Sequence, residues 1–178
     1  MFKLVTKKHN KLTTIEKKKI IFLKKTFWNY TISEHNQFLI DNFKNNDYHN
    51  LFFYQNRLIG YTAFRKEHFF YKSKKFKYFH MDTLLILKKY RNKKLSKLLM
   101  SFNEFTIKKN SLPSIFFTRK ALISFYKKFG WKTNLDKKII FNLKKKTQKY
   151  YNDFWFKNLN KLKFLIHFLT LIQKYFLF

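Results

Sequence analysis

The chain has 178 residues and a formal net charge of +31, from 40 lysines and arginines against 9 acidic residues. Cysteine is absent, which excludes disulfides, thiolate metal sites and cysteine nucleophiles. The 6 histidines show no pair at the i, i+4 spacing of a helical metal site, so no metal is predicted. With 2 glycines and 1 proline, the chain has no linker that would divide it, and one domain is expected.

The basic residues are spread along the whole chain and do not gather in one tail. A positive field attracts nucleic acid, anionic membranes and phosphorylated cofactors alike, so the charge does not identify a partner. The abundant residue types have AT-rich codons, which indicates a low-GC genome and a solvated basic surface. The first residues contain no apolar run of signal-peptide length, so we expect a cytoplasmic protein.

The N-terminal third predicts one strand and two helices. An apolar run favours a strand over 2–6, and a hydroxyl cap with an acidic first turn predicts a helix over 15–28. A second helix opens at Ser33 and ends in the polar segment 45–47. Two helices therefore precede the main sheet.

Three strands follow, two of them in a hairpin. The hairpin pairs 50–54 with 57–64 and has Gly60 inside its second strand. The next strand, 81–87, is almost continuously apolar, which indicates burial on both faces.

The second half alternates helices and strands. Apolar spacing predicts a helix over 94–110, which Pro113 ends, and then a short strand over 114–117. A helix over 120–129 follows, with Gly130 as its C-terminal stop. Trp131 and the segment 138–143 predict two closing strands, and the whole order indicates a mixed sheet covered on both faces.

The segment 162–178 is almost wholly apolar but contains Lys163 and Lys174. It is short for a membrane span and carries charge. Three placements fit it: a helix folded onto the domain or onto a second subunit in a homodimer, an interfacial helix in peripheral contact with a membrane, and a transmembrane anchor.

A basic turn joins the strand 81–87 to the following helix, and a helix start of this kind presents unpaired N–H groups that favour phosphate. The turn resembles the signature of the GNAT superfamily of N-acetyltransferases, Arg/Gln-x-x-Gly-x-Gly/Ala. Arg91 matches the first position, whereas Lys94 and Ser96 stand at the two glycine positions.

A second element, over 125–131, resembles the Phe-Tyr-x-x-x-Gly-Phe element of the same family. The resemblance covers roughly Leu51 to Leu143. It implies an α/β (α+β) fold with a mixed, mostly antiparallel central sheet flanked by helices, in a domain over 1–148. The tail over 149–178 would add a C-terminal apolar helix.

The resemblance also implies acetyl-CoA as co-substrate. Main-chain amides of the basic turn would bind the diphosphate, and the main chain of the preceding strand would pair with the pantetheine arm. The implied cofactor-binding residues are Leu85, Ile86, Leu87, Arg91, Asn92, Lys93, Lys94, Leu95 and Ser96.

Two residues are predicted to carry catalysis. By resemblance, Tyr126 would protonate the leaving thiolate. An attacking ammonium must lose a proton, and Asp82 is the first candidate for the general base, ahead of His80 and Glu104. Four aromatic residues are candidate walls of the acceptor site: Trp28, Tyr30, Tyr54 and Tyr61.

The implied function is an N-acetyltransferase that transfers an acetyl group from acetyl-CoA to a primary amine of a small molecule, such as an amino sugar. Two alternatives stay open. One is a basic nucleic-acid-binding protein whose aromatic rings stack on bases, although the sequence has neither a zinc spacing nor a recognisable RNA-binding signature. The other is a degenerate GNAT domain that acts as an interaction module, because both signature glycines are replaced.

Overall fold

The computed structural model describes residues 1–71, 73–91, 93–116, 118 and 120–132. Within these residues a five-stranded sheet forms in chain order, with the first four strands antiparallel and the last one parallel to its neighbour. The predicted closing strand 138–143 and the tail 149–178, for which an apolar helix is predicted, lie outside the described residues. The strands are β1 (Phe2–Lys8), β2 (Tyr48–Tyr54), β3 (Arg57–Tyr71), β4 (Lys74–Ile86) and β5 (Ser114–Ile115).

In the described part of the chain four α-helices flank the sheet, as predicted: α1 (Thr14–Lys25), α2 (Ile32–Asn42), α3 (Leu95–Lys109) and α4 (Ile123–Lys127). The first two begin with capping boxes. In α1 the hydroxyl of Thr13 accepts from the amide of Glu16 at 3.1 Å, and the Glu16 carboxylate accepts from the amide of Thr13 at 2.9 Å. Thr31 and Glu34 repeat the arrangement at the start of α2.

One face of the sheet is covered by α3. On this face Asn50 of β2 donates to Asn103 at 2.8 Å and to Thr106 at 3.0 Å, and Asn103 donates to Thr62 of β3 at 3.1 Å. These polar side chains are buried and satisfy one another, so they fix how α3 lies across β2 and β3.

The opposite face lies under α1 and α2. Strand register places His49, Ala63 and Asp82 side by side there, on β2, β3 and β4. Lys24 of α1 is buried and lies close enough to Asp82 for each charge to shift the pKa of the other. Because Ala63 has a small side chain, this row leaves room for polar groups under the helices.

Two predicted boundaries were wrong. β3 continues to Tyr71 and β4 begins at Lys74, so the hairpin is much longer than the predicted strands, and Ser73 at φ 60° forms part of its turn. The segment 65–80 was not predicted as strand, and ladder pairing between β3 and β4 extends both strands through it.

The predicted helix over 120–129 is also shorter than expected. A 3₁₀ turn over Lys120–Leu122 leads into α4, which ends before Gly130. Gly130 lies at φ +75° and terminates the segment as predicted. None of the helices in the described part of the chain combines the length and the apolar character that a membrane crossing needs.

Candidate active site

A β-bulge opens the sheet in the middle of β4. Thr83 lies at φ 46°, and the register with β3 shifts there. β5 pairs with β4 only at Phe79 and His80, so among the described residues the rest of β4 has no neighbour on that side. The two strands therefore leave an open edge of main-chain groups beyond His80.

The three residues predicted to bind the donor through their main chain, Leu85 and Ile86 of β4 and Leu87 directly after it, are not equivalent. The amide of Leu87 donates to Ile59 of β3 at 2.9 Å, and its carbonyl accepts from Tyr90 at 2.8 Å, so both of its groups are engaged. Alternation along the strand turns the main-chain groups of Leu85 toward β3 as well. Ile86 faces the open edge, and so does Leu84, which the sequence analysis did not name.

Arg91 holds the basic turn against the end of this edge. Its Nε donates to the carbonyl of Ile86 at 3.1 Å, and its guanidinium carbon lies 5.0 Å from the centre of the Phe27 ring. A 3₁₀ turn over Lys88–Tyr90 supplies the change of direction. Arg91 therefore joins the segment after α1 to β4 and the turn, while Asn92, also predicted to bind the donor, lies outside the described residues.

The N-terminus of α3 differs from those of α1 and α2. Its cap residue, Lys94, makes no side-chain hydrogen bond to the helix, and the first turn contains no acidic residue. The first turn, which includes Leu95 and Ser96, thus offers N–H groups and the positive helix dipole to an external anion. Lys93 and Lys94 are exposed beside it and add positive charge.

The backbone of Lys94 adopts the conformation expected of the glycine at this position of the signature. Its backbone lies at φ 57° and ψ 5°, the left-handed conformation that glycine adopts most readily. The chain therefore keeps the backbone path that glycine favours there and carries a lysine in it, at a cost in strain.

A basic cleft of about 480 Å³ opens between the end of α1 and this turn. Four cationic side chains line it, from Arg57, Lys88, Lys89 and Arg91, together with Thr26, Phe27 and Leu87. No acidic residue lies among them, so the cleft favours anionic groups.

Tyr126 is buried on the α3 side of the sheet. Its ring centre lies 4.3 Å from that of Phe116, in the core cluster that also contains Met81 of β4. Burial raises the pKa of Tyr126 to about 12, against a smaller opposing effect of a hydrogen bond with Thr118. The hydroxyl therefore stays protonated at neutral pH and can act as a proton donor.

Asp82 faces the other side of the sheet, at the bulge. Burial alone would raise its pKa, but the cations Arg65 and Lys24 hold the pKa of Asp82 below its usual value. Asp82 is therefore ionised at neutral pH and can attract an ammonium group. Burial, followed by the charge of Arg65, lowers the pKa of His80, whose Nδ1 lies 2.9 Å from Arg65 Nη2.

The structure does not place the third base candidate, Glu104, beside these groups. Glu104 pairs with Lys108 at 2.7 Å on its own helix, α3. The two predicted catalytic residues, Asp82 and Tyr126, lie on opposite faces of the sheet, on either side of β4.

Sequence reasoning missed the buried polar groups around Asp82. Lys24 is 4% exposed and Arg65 is 6% exposed. Lys24 follows Ile20 by four residues, so the helical period places it on the buried face of α1. That position in the sequence could have predicted that Lys24 is buried. Of the predicted aromatic walls, Tyr61 is fully buried, and its hydroxyl lies 2.7 Å from His49 Nδ1.

The described residues include no group of three or more histidine, aspartate or glutamate side chains that could hold a metal ion.

Comparisons with known proteins agree with this architecture. The family model described as "Acetyltransferase (GNAT) domain" matches residues 11–156. No curated protein gives a match. The chain belongs to the GNAT acetyltransferase family, whose members use acetyl-CoA or another acyl-CoA, and it is an acyltransferase of the N-acetyltransferase type.

Solved structures of low sequence identity share the fold. The structure of Escherichia coli ElaA superposes with a TM-score of 0.62 at 16% identity, covering 80% of this chain and 95% of that one. Glucosamine-6-phosphate N-acetyltransferase from Arabidopsis thaliana gives a TM-score of 0.59 at 14% identity, covering 80% and 99%. Aminoglycoside N-acetyltransferase AAC(6')-Iy, in complex with CoA, gives 0.59 at 11% identity, covering 82% and 95%.

Proposed function

We propose that the protein transfers an acetyl group from acetyl-CoA to a primary amine of a small molecule, with amino sugars as the first class to test. The observation that carries the proposal is the uncapped N-terminus of α3, which lies beyond the basic turn that follows the open edge of β4. Among the described residues, the edge and the helix start present main-chain groups suited to an amide-containing arm and to a diphosphate, with the Ile86 carbonyl held by Arg91.

The residues of the site divide the chemistry between them. The amides at the start of α3 would hold the diphosphate, with Arg91 fixing the turn, and the open edge of β4 at Leu84 and Ile86 would pair with the pantetheine arm. The amine nitrogen would form its bond to the acetyl carbon as the carbon–sulfur bond breaks. Asp82 would attract the ammonium and receive its proton, directly or through water, and Tyr126 would give a proton to the thiolate.

Two structural neighbours support amino sugars as the first class. One is the glucosamine-6-phosphate N-acetyltransferase already described, and another is an aminoglycoside acetyltransferase from a soil metagenome in complex with sisomicin. Both names describe acetylation of amino-sugar compounds, on the same fold at low identity.

Calorimetry with acetyl-CoA tests the donor half of the proposal. We expect Arg91→Glu to weaken binding at least about tenfold, because it reverses a charge and breaks the link to the Ile86 carbonyl. Lys75→Glu is the matched control, since it changes the charge equally at an exposed residue of the β3–β4 hairpin. Equal weakening by both variants would show that only the overall field matters.

Thiol release with a panel of amines tests the acetyl transfer. Turnover that requires both acetyl-CoA and the amine supports the enzyme. Donor binding without turnover would favour the interaction-module alternative. Salt-sensitive retention of nucleic acid, without a thermal shift from acetyl-CoA, would favour the nucleic-acid-binding alternative.

A further inference from the structure

A group of buried polar atoms lies between α1, α2 and β4, on the Asp82 side of the sheet. The ammonium of Lys24 lies 3.8 Å from the centre of the Phe38 ring and 5.7 Å from that of Trp28. A largely buried ammonium that lies against aromatic faces can donate to an anion.

His35 of α2 offers an acceptor next to this ammonium. The residue is 3% exposed, and a hydrogen bond with the Trp28 main chain occupies its ring. Its Nε2 is buried and has no hydrogen-bond partner in the described part of the chain, so the Trp28 bond lies at Nδ1. Burial, followed by the charge of Lys24, lowers the pKa of His35. The ring is therefore neutral at pH 7, with the lone pair on Nε2.

Asp82 supplies a second acceptor. Its Oδ1 accepts from the Thr83 hydroxyl at 3.2 Å, whereas its Oδ2 is buried and has no hydrogen-bond partner within the described ranges. The cluster thus combines one cationic donor with two buried acceptor atoms that have no hydrogen-bond partner among the described residues. Buried polar groups in proteins are rarely left in this state unless another molecule completes them.

The charges of the cluster also bear on the acceptor. Lys24 is a buried cation, and Asp82 is a carboxylate whose charge acts on it. The three ion pairs between described residues lie elsewhere and join Lys7 to Glu16, Lys44 to Glu67 and Lys108 to Glu104. An amine that enters as an ammonium adds another positive charge, so the site favours an amine that brings an anion with it.

We propose that this cluster is the acceptor subsite and that it selects a small primary amine which also carries an anionic group, a phosphate or a carboxylate. Asp82 and His35 accept from the ammonium, and Lys24 donates to the anion. The inference rests on the proposed function, since it assigns the acceptor class of the same site.

Matched pairs of acceptors test the selection. The pairs are glucosamine 6-phosphate with glucosamine, and an α-amino acid with its amide, compared as kcat/KM in the thiol-release assay. We expect the anionic member of at least one pair to be preferred at least about tenfold, and the favoured pair distinguishes phosphate from carboxylate. Equal or better use of both neutral members would overturn the inference.

Substitutions at two adjacent lysines test whether Lys24 causes the preference for the anionic acceptor. Lys24→Met should reduce it to within about threefold while leaving the affinity for acetyl-CoA unchanged, and Lys24→Arg should keep most of it. Lys25→Met, at the exposed neighbour, should keep it fully. If Lys24→Met lowers both members of a pair equally in a folded protein, or Lys24→Arg behaves like Lys24→Met, the assignment is refuted.

Calorimetry separates this inference from the proposed function. Titration of the same acceptors into the full chain without acetyl-CoA should give binding of the anionic member of the favoured pair. Acetyl-CoA binding with no discrimination between acceptors refutes the inference alone. Failure to bind acetyl-CoA refutes the proposed function, and failure of both anionic acceptors to bind refutes the inference whatever the donor does.

Discussion

The backbone conformation of Lys94 leads to a prediction with a definite sign. A lysine at φ 57° is strained, and the left-handed region costs a non-glycine residue about 1–2 kcal/mol. Glycine removes that strain but makes the unfolded chain more flexible, which offsets about 0.4–1 kcal/mol of the gain in stability. Lys94→Gly should therefore stabilise the protein by about 0.5–1 kcal/mol, raising Tm by about 1–4 °C for a chain of this size.

Two matched variants test this reasoning by urea and thermal denaturation. Lys18→Gly, at an exposed position within α1, should destabilise by about 1 kcal/mol, because glycine is a poor helix former. Lys94→Ala should change stability by only about 0.3 kcal/mol, since alanine meets the same left-handed restriction. If Lys94→Gly lowers stability as Lys18→Gly does, the strain argument fails.

Four further predictions follow from single contacts. A Cβ at Gly60 would lie 2.8 Å from Ile86 Cδ1, so Gly60→Ala should lower the unfolding free energy by about 1–3 kcal/mol. In a double-mutant cycle Ile86→Val should restore part of this loss, and additive losses would contradict the prediction. Thr31→Ala removes the capping box of α2 and should cost about 1 kcal/mol in urea denaturation, and no loss would argue against the cap. Tyr126→Phe should lower kcat about 10- to 100-fold in the thiol-release assay with unchanged acetyl-CoA affinity, whereas an unchanged kcat would remove the proton-donor role. Burial, followed by the charge of His9, lowers the pKa of His49 to about 3. In the unfolded chain His49 has a pKa of about 6.5, so it takes up a proton there more readily than in the native state. The contribution of the neutral His49 to the unfolding free energy is therefore complete above about pH 6.5 and is lost as the pH falls. His49→Gln should flatten the dependence of unfolding free energy on pH in this range, and an identical slope would show that His49 does not control it.

Most of the fold could be predicted from local signals. The caps at Thr13 and Thr31 and the apolar spacing of α3 are properties of short segments, and the structure confirms the elements they predict. The extension of the β3–β4 hairpin to Tyr71 and Lys74 could not be read in this way. That ladder depends on pairing between strands, while the local composition, rich in lysine, favours a loop.

The candidate site was predictable only in part, for a similar reason. The turn at Arg91 was identified from its resemblance to a signature, but no sequence rule predicts a left-handed lysine at position 94. Lys24 was missed because, in a chain with 40 basic residues, one more lysine gives no compositional signal. Only the position of Lys24 on the apolar face of α1 distinguishes it from the other lysines. Its role depends on the groups of α2 and β4 that the fold brings close to it.

The open edge of β4 and the uncapped start of α3 offer peptide groups, not side chains, to a ligand. Alanine scanning would leave those groups in place and would underestimate their contribution, whereas proline, which deletes an amide hydrogen, would report it. Substitution of the side chains along such a surface leaves its peptide groups in place. A genome that steadily exchanges glycine codons for lysine codons can replace the residues around the turn, and the amides at the start of α3 persist as long as the backbone keeps its path.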